Sequence, residues 1–411
     1  MGVFGSFEKG SIPYFSFYIC SFMAIAIFTT FINIYFQQLG FTIGQIGILT
    51  AIGPMVSMIS QPMWGVLSDR TDKRKVLMII LVGGAVMSLV IPFNTTFLVL
   101  IFTLMIYWSF ATSYLPLGDA ITLGYLESST VKYTAIRIVG AISFGLTSAF
   151  AGVMLGGNIG RIFYYNAAFI LLTCFWVFLM KKRKKPVPET VADKMDQDID
   201  TNPIIQEKSG LRPFFRLLKN KVLLGVYLSS FVFGLTMAFL HNFIGIRLTE
   251  VGANESQVGM ALFIAAFSEI PIFFMIDRVF SNKKPEYLLM LSGLSMGIRL
   301  FIMFLSNSIM LIYFAQLLQG FSFMLHLYFC IMLLHEHSPP HLKATVQTFH
   351  AMVRMGAGAI LGGMGGGFLA QHIGIQGVFL ILSIFVLTTC FILPGVLILY
   401  SRTKKSDTII V

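Results

Sequence analysis

The sequence predicts an all-α membrane protein of twelve transmembrane helices in two pseudo-symmetric six-helix bundles, with both termini cytoplasmic. Three observations lead to this fold class. Of the 411 residues, 56% are hydrophobic and only 11% are charged, against about 25% charged residues in soluble domains. Twelve apolar runs reach about 20 residues, the length that crosses a bilayer. A polar segment divides these runs six and six.

Apolar runs of this length form helices, because the bilayer offers no water to backbone groups and the runs show no period-2 alternation. The runs of the first half lie at 14–36, 44–67, 76–93, 97–118, 134–156 and 161–180. Those of the second half lie at 221–246, 256–276, 287–305, 309–333, 344–370 and 373–400. The predicted units are therefore an N-terminal bundle, 1–180, a cytoplasmic linker, 181–220, and a C-terminal bundle, 221–411.

The basic residues orient the helices. With both termini inside, only Arg161 and Arg247 of the 29 Lys and Arg residues fall in outer loops, which is the positive-inside bias. The net charge of +11 then follows from topology and is no argument for a nucleic-acid partner. We expect the lipid bilayer of the cell (inner or plasma) membrane as the environment, and a functional monomer.

The two halves repeat one another at an offset of 208 residues. Asp69-Arg70 corresponds to Asp277-Arg278, and Asn33 to His241. Such internal repeats are typical of two-bundle transporters, whose substrate sites lie between the repeats. We therefore expect polar residues late in the first helix of each bundle to face a central cavity and bind substrate. These residues are Asn33, Gln37, His241 and Asn242.

The eleventh run carries glycine at every fourth position, at Gly358, Gly362 and Gly366. In lipid, this spacing favours close helix contact. A nucleotide site is not expected there, because the stretch lacks the Lys-Ser/Thr of a phosphate loop.

The turn "GVLSDRTDKRK" after the second run resembles the signature of the major facilitator superfamily, in Gly65, Leu67, Asp69-Arg70, Arg74-Lys75 and Leu77. The resemblance implies two six-helix bundles with a substrate path between them. It also implies that Gly65 permits close helix packing and that Asp69, Arg70 and Arg74 form a cytoplasmic gate. Asp72 departs from the family, which commonly has Gly at that position.

Ionisable residues inside membrane spans are costly and mark function. Asp119 and Arg137 lie about nine residues on either side of the turn that joins the fourth and fifth runs, so their depths match and an ion pair is possible. Their 18-residue separation resembles the acidic–arginine pair of lactose permease, which implies a role in substrate binding. A purely structural pair remains the alternative.

Glu269, Arg299 and His326 fall in three successive spans of the second bundle. We expect them within reach of each other, with Glu269 and His326 as proton-coupling residues and Arg299 as their electrostatic partner. "SEIPIFF", "GIRLF" and "FMLHLYF" resemble the branch that contains lactose permease, nucleoside–proton symporters and phenylpropionate permease. Lactose permease has a Glu three residues after this His, where this chain has Phe329. Arg354 receives no role.

These features predict a proton-coupled symporter that imports a small polar organic solute, a sugar or nucleoside. The alternatives are a proton-driven exporter of apolar or cationic compounds, an importer of an aromatic acid, or a transporter-like sensor. An enzyme is not expected, since the chain has no credible Ser/His/Asp set or metal cluster, and no cofactor is expected besides the coupling proton.

Overall fold

The first bundle contains six helices. The computed structural model of the protein describes residues 8–127, 129–180, 220–280, 285–339 and 342–407. The predicted linker 181–220 lies outside the described residues, apart from its last residue. The helices are α1 (Ile12–Gln38), α2 (Ile43–Arg70), α3 (Lys73–Val90), α4 (Phe97–Leu126), α5 (Tyr133–Leu155) and α6 (Ile162–Leu179). Helix α4 runs further than predicted and is interrupted at Thr112 and Ser113.

The second bundle also contains six helices. They are α7 (Lys221–Glu250), α8 (Glu255–Met275), α9 (Pro285–Leu305), α10 (Ile309–Glu336), α11 (343–373) and α12 (375–407). The described residues form eleven apolar helical stretches long enough to cross a membrane. The last of them, Thr345–Ile392, breaks at Gly374, where a φ of 76° is accessible to glycine without strain. The break divides this stretch into two helices. The predicted all-α class with two helical bundles is confirmed, while the twelve membrane crossings and the cytoplasmic termini stay predictions.

The second helix of each bundle begins with the same local structure. At the start of α2, the Thr42 hydroxyl accepts from the Gln45 backbone at 3.3 Å, and the Gln45 side chain accepts from the Thr42 backbone at 3.0 Å. Asn254 and Gln257 repeat this reciprocal capping box at the start of α8, with both distances 2.9 Å. The shared cap is a further sign that the two bundles are repeats.

Buried apolar side chains form three clusters. One lies within the first bundle and includes Phe17 and Leu77. Another lies within the second bundle and includes Leu223. The third cluster contains side chains of both bundles, among them Phe31 of α1 and Phe243 of α7, which lie toward the outer ends of their helices. The bundles therefore share a core in their outer halves and have separate cores in their inner halves.

Glycines allow the outer seam between the bundles to close. A Cβ on Gly47 of α2 would lie only 2.7 Å from the carbonyl oxygen of Gly363 on α11, so a larger residue would push these backbones apart. Helices α5 and α8 approach as closely where Gly259 contacts the backbone of Ser148. Within the second bundle, Gly358 lies against the carbonyl of Phe231 on α7, which confirms the close contact predicted from the glycine spacing.

Polar contacts between the bundles lie in the outer halves, where the bundles share a core. Asn33 bonds to Asn242, Gln37 to Thr249, and Thr42 to Gln371, all toward the outer ends of the helices. Between described residues, no hydrogen bond or ion pair joins the bundles at their inner ends. In the predicted orientation, the shared core and the polar contacts that join the bundles therefore lie toward the outer side of the membrane.

Candidate functional site

A cavity of about 400 Å³ lies between the two bundles, directly beneath the closed outer seam. Its walls come from α1, α2 and α4 of the first bundle and from α7 and α11 of the second. The polar and aromatic side chains that line it are Thr29, Asn33, Phe36, Thr50, Ser57, Trp108, Thr112, His241 and Asn242. No carboxylate, Lys or Arg belongs to the lining among the described residues, so the cavity suits an uncharged, hydrogen-bonding group.

Asn33 crosses the interface at the top of this cavity. Its Nδ2 donates to the backbone carbonyl of Asn242 at 2.9 Å, while its Oδ1 is buried without a hydrogen-bond partner. A buried acceptor without a partner is costly, and a donor on a bound solute would satisfy it. His241 is exposed toward the cavity. The structure thus places Asn33, His241 and Asn242 together.

Gln37 does not line the cavity, although the sequence led us to expect it there. It lies one turn further out on α1, where its Oε1 accepts from the Thr249 hydroxyl at 3.4 Å. Gln37 follows Asn33 by one helical turn, as predicted, but α1 and α7 approach each other closely at Gln37, so the cavity ends at the turn of Asn33. Gln37 contributes to the outer seam instead.

Asp119 and Arg137 form an ion pair at 3.6 Å between α4 and α5. The hydroxyl of Tyr18 also donates to Asp119. The Arg137 guanidinium lies 5.7 Å from the centre of the Phe22 ring and 6.0 Å from that of Tyr133, within cation–π range. The side chains of Arg137 and Asp119 are 40% and 26% exposed, so a solute can reach them.

This ion pair is not part of the cavity. Tyr18, which bonds to Asp119, precedes Asn33 by fifteen residues on α1, or about 22 Å at 1.5 Å per residue. The pair therefore lies near the inner end of the first bundle. The six residues predicted to bind substrate fall at three depths: three at the cavity, one in the outer seam and two far inward.

In the second bundle, Gln319 joins Glu269 to Arg299. Its Nε2 donates to Glu269 Oε1 at 3.0 Å, and its Oε1 accepts from the Arg299 guanidinium. Gln316 accepts from the other terminal nitrogen of Arg299. Arg299 is only 3% exposed, and a buried charge needs such partners. We call Glu269, Gln319, Arg299 and Gln316 the relay.

The bridge that Gln319 makes between Glu269 and Arg299, and the bond of Gln316 to Arg299, were not predicted from the sequence. Gln316 and Gln319 could be identified only as polar groups able to bond to a solute. Their spacing of three residues puts them on one face of α10, and this face meets both α8 and α9. The shared face predicts that both glutamines bond to the same group, but only the packing of α8, α9 and α10 shows that this group is the Arg299 guanidinium.

His326 lies apart from the relay, contrary to the expectation that it would be within reach of Glu269 and Arg299. Its Nε2 is 3.1 Å from the Ser229 hydroxyl of α7, and its ring stacks on Phe233 at 4.0 Å. His326 follows Gln319 by seven residues, and the π-helical turn Gly320–Met324 between them rotates the later side chains. The imidazole therefore faces α7 two turns further inward.

Among the described residues, the predicted cytoplasmic gate contacts only its own bundle. Asp69 pairs with Lys73 at 3.2 Å, and Arg74 donates to the carbonyls of Phe178 and Val177 at 2.8 and 3.2 Å. Arg70 is exposed. These positions leave the gating role a prediction.

Gly65 is not required by packing here. A Cβ on Gly65 would meet none of the described residues within 4 Å. The close helix packing expected at this glycine therefore stays a prediction.

Metal ligands do not assemble within the described residues: no group of three or more His, Cys, Asp or Glu side chains lies close enough to hold an ion. The four cysteines are free thiols. Together with the cavity and the relay between helices, this geometry is that of a solute pathway.

Comparison with known proteins agrees with this geometry. A family model described as the MFS_1 like family matches residues 12–381. The chain belongs to the MFS_1 like family. It is accordingly a multi-pass membrane transporter for small molecules, of a bacterial transporter family, and not an enzyme.

Two relatives and one solved structure illustrate the similarity. The chain is 24% identical to the maltose permease of Geobacillus stearothermophilus over 95% of this chain and 94% of the relative. It is 26% identical to the putative nucleoside transporter YegT of Escherichia coli (strain K12), over 82% and 79%. The crystal structure of the nucleoside transporter NupG superposes with a TM-score of 0.79 at 17% identity, covering 94% of this chain and 99% of that chain. The last comparison shows the shared major facilitator fold.

Proposed function

We propose that the protein is a proton-coupled symporter that imports a small polar solute of the sugar or nucleoside class by alternating access. The observation that carries this proposal is the cavity between the bundles. Amide, hydroxyl and imidazole groups and one indole ring line it, together with apolar side chains such as Ile32, Leu49 and Leu104. Its volume of about 400 Å³ falls in the range of about 300–1,000 Å³ usual for small-molecule sites. The proton is the coupling ion, and no cofactor takes part.

The lining matches the chemistry of sugars and nucleosides. The Asn33 Oδ1 and the Asn242 and His241 side chains can exchange hydrogen bonds with hydroxyl groups, while Trp108 offers a flat apolar face for a ring. A site for organic cations would need a carboxylate, and the described lining has none. This argues against export of cationic compounds and leaves export of apolar compounds as the alternative. The named activities of the two relatives, a maltose permease and a putative nucleoside transporter, support the same solute class.

Glu269 is the proposed proton carrier. It is the carboxyl group of the relay, and its bond to Gln319 couples it to the guanidinium of Arg299. A change in its protonation therefore alters the hydrogen bonds that hold α8, α9 and α10 together. His326 bonds to Ser229 instead and has no hydrogen-bonded connection to the relay among the described residues.

The exposed side chains suit a monomer surrounded by lipid in the plasma membrane. Ile59, Phe93 and Val153 are 76%, 80% and 75% exposed, and such large apolar surfaces are stable only against acyl chains. The basic residues are accounted for by membrane orientation, so no nucleic-acid partner is proposed.

The experiment is a measurement of external pH in lightly buffered, de-energised vesicles that hold the protein. Sugars, nucleosides and aromatic acids are added one at a time. We expect alkalinisation with a sugar or a nucleoside, its loss in Glu269→Gln, and its retention in the control Glu255→Gln, which changes a carboxylate at the outer start of α8. If no solute of the panel changes the external pH when the protein is correctly oriented, import of these classes is rejected. A signal that survives Glu269→Gln would reject Glu269 as the carrier.

A further inference from the structure

Arg354 of α11 carries a guanidinium within a membrane span and has no counter-charge among the described residues. Its Nε is buried without a hydrogen-bond partner, and Arg354 donates no hydrogen bond to any described residue. The contact it does make is with the ring of Phe323 on α10, whose centre lies 5.8 Å from the guanidinium carbon. A cation–π contact of this kind only partly offsets the loss of water.

Three other arginines within the described spans have polar or charged partners. Arg137 pairs with Asp119 at 3.6 Å. Arg299 is bonded to two glutamines and, through one of them, to a carboxylate. Arg247, which was expected in an outer loop, lies in the last turn of α7 and pairs with Glu250 at 3.1 Å. Arg354 differs from these three, because no described residue pairs with it or accepts a hydrogen bond from it.

The surroundings of Arg354 supply donors but no anion. His350 lies one turn earlier on the same face of α11, with its Nε2 2.8 Å from the Ser230 hydroxyl. His326 is within electrostatic reach of Arg354, and Cys330 lies 3.6 Å from that imidazole. No carboxylate of the described residues lies within ion-pair distance of Arg354. Such an unmatched charge inside a membrane is costly unless an acceptor occupies the site at some stage of the cycle.

The position of Arg354 connects it with the solute cavity. Its neighbours Met355 and Ala359 line that cavity. The backbone of Arg354 contacts Gly234 of α7, which is seven residues, or about 10 Å along the helix, inward of His241. Arg354 is partly exposed. A solute whose neutral part fills the cavity can therefore extend a second group to the guanidinium.

We propose that Arg354, supported by His350, binds an anionic group of the transported solute, a carboxylate or a phosphate monoester. The planar guanidinium presents paired donors that match both groups. The solute is then an acidic or phosphorylated derivative of a sugar or nucleoside, with its neutral ring beside Trp108 and its anion at Arg354. This inference rests on the proposed import function and specifies its substrate class.

The test compares matched pairs of solutes by thermal stabilisation of the purified full chain in detergent at constant ionic strength. Each pair contains a neutral hexose or nucleoside and its phosphate monoester or carboxylate. We expect the anionic member of one pair to bind about 10–100-fold more tightly than the neutral member, the gain typical of a charge-assisted hydrogen bond. Arg354→Gln should remove this preference, and Arg354→Lys should retain part of it. The control Arg161→Gln, at an exposed outer turn, should keep it in full.

Three results would overturn the proposal: equal binding of both members in every pair, an anion preference that survives Arg354→Gln, or no stabilisation by any anionic solute. Inorganic phosphate alone is a separate arm. If it stabilises the wild type as strongly as the monoester and loses this effect in Arg354→Gln, the site takes a free anion and the solute assignment is wrong. If Arg354→Gln does not fold, the same comparison with Arg354→Lys decides. Binding and transport of neutral members with no anion advantage would reject this inference alone, whereas the absence of all binding and transport would reject the proposed function as well.

Discussion

Replacing Gln319 with leucine tests whether the relay holds the second bundle together and couples it to protons. The substitution keeps the side-chain size but removes the donor to Glu269 and the acceptor for Arg299. Hydrogen bonds to charged groups contribute about 1.5–3 kcal/mol each, so the two bonds together amount to about 3–6 kcal/mol. Because Arg299 keeps Gln316, we expect the lower end, a loss of about 3 kcal/mol in the free energy of unfolding.

The assay is reversible unfolding by sodium dodecyl sulfate in mixed micelles, combined with the vesicle pH measurement on the same variants. Gln316→Leu is the matched control, since it removes one partner of Arg299 and leaves the Glu269 bond intact. We expect it to lose about half as much stability and to retain coupling, while Gln319→Leu loses coupling. Gln319→Leu with wild-type stability and a normal proton signal would refute the bridge. Equal loss of coupling in both variants would refute the special role of Gln319.

Three further predictions concern other parts of the molecule. A double-mutant cycle with Asp119→Asn and Arg137→Gln, measured by the same unfolding assay, should give a coupling energy of only about 0.2–1 kcal/mol, because both partners are partly exposed. A value of several kcal/mol would mean that the pair serves to hold the two helices together. Gly47→Leu should open the outer seam against α11. A cysteine introduced at Asn33 should then react faster with an impermeant reagent added outside than the same cysteine does in a protein that keeps Gly47. Unchanged labelling would contradict the close contact. Hydrogen bonds from the backbone and side chain of Thr130, and then from Ser129, hold the pKa of Glu8 below its usual value of 4.5. This carboxylate therefore stabilises the attachment of the N-terminal segment to the α4–α5 loop at neutral pH, and the stabilisation is lost as pH falls through the lowered pKa. Hydrogen exchange of 129–131 should rise at acidic pH in the wild type, after correction for intrinsic rates, and should depend little on pH in Glu8→Gln; equal pH dependence in both would contradict the assignment.

The fold was predictable because a membrane permits few backbone conformations in the segments that cross it. An apolar run of about 20 residues must close its own backbone hydrogen bonds, and so it forms a helix wherever it occurs. The positions of the helices follow from this constraint, and the division into two bundles follows from the repeat offset. Even the Asp119–Arg137 contact could be anticipated, since the two residues lie at equal distances from one short turn and their depths are fixed by helix rise alone.

The arrangement of the site depends on contacts between helices that are distant in sequence. Helical periodicity places Gln37 and Asn33 on neighbouring turns, but only the approach of α1 to α7 decides that the cavity includes one and excludes the other. A π-helical turn in α10 turns His326 away from Glu269, and no apolar pattern marks that turn.

What the sequence determined by itself is the set of helices and the identity of the few charges buried among them. What only the tertiary structure decided is which of those charges have partners. Arg299 and Arg354 look alike in the sequence, since each is a single arginine in an apolar span. Packing gives Arg299 two amide partners from α10 and leaves Arg354 facing an aromatic ring. The physical reason is that side-chain depth follows from a local helix rise, whereas compensation of a charge requires atoms from several helices to converge on one point.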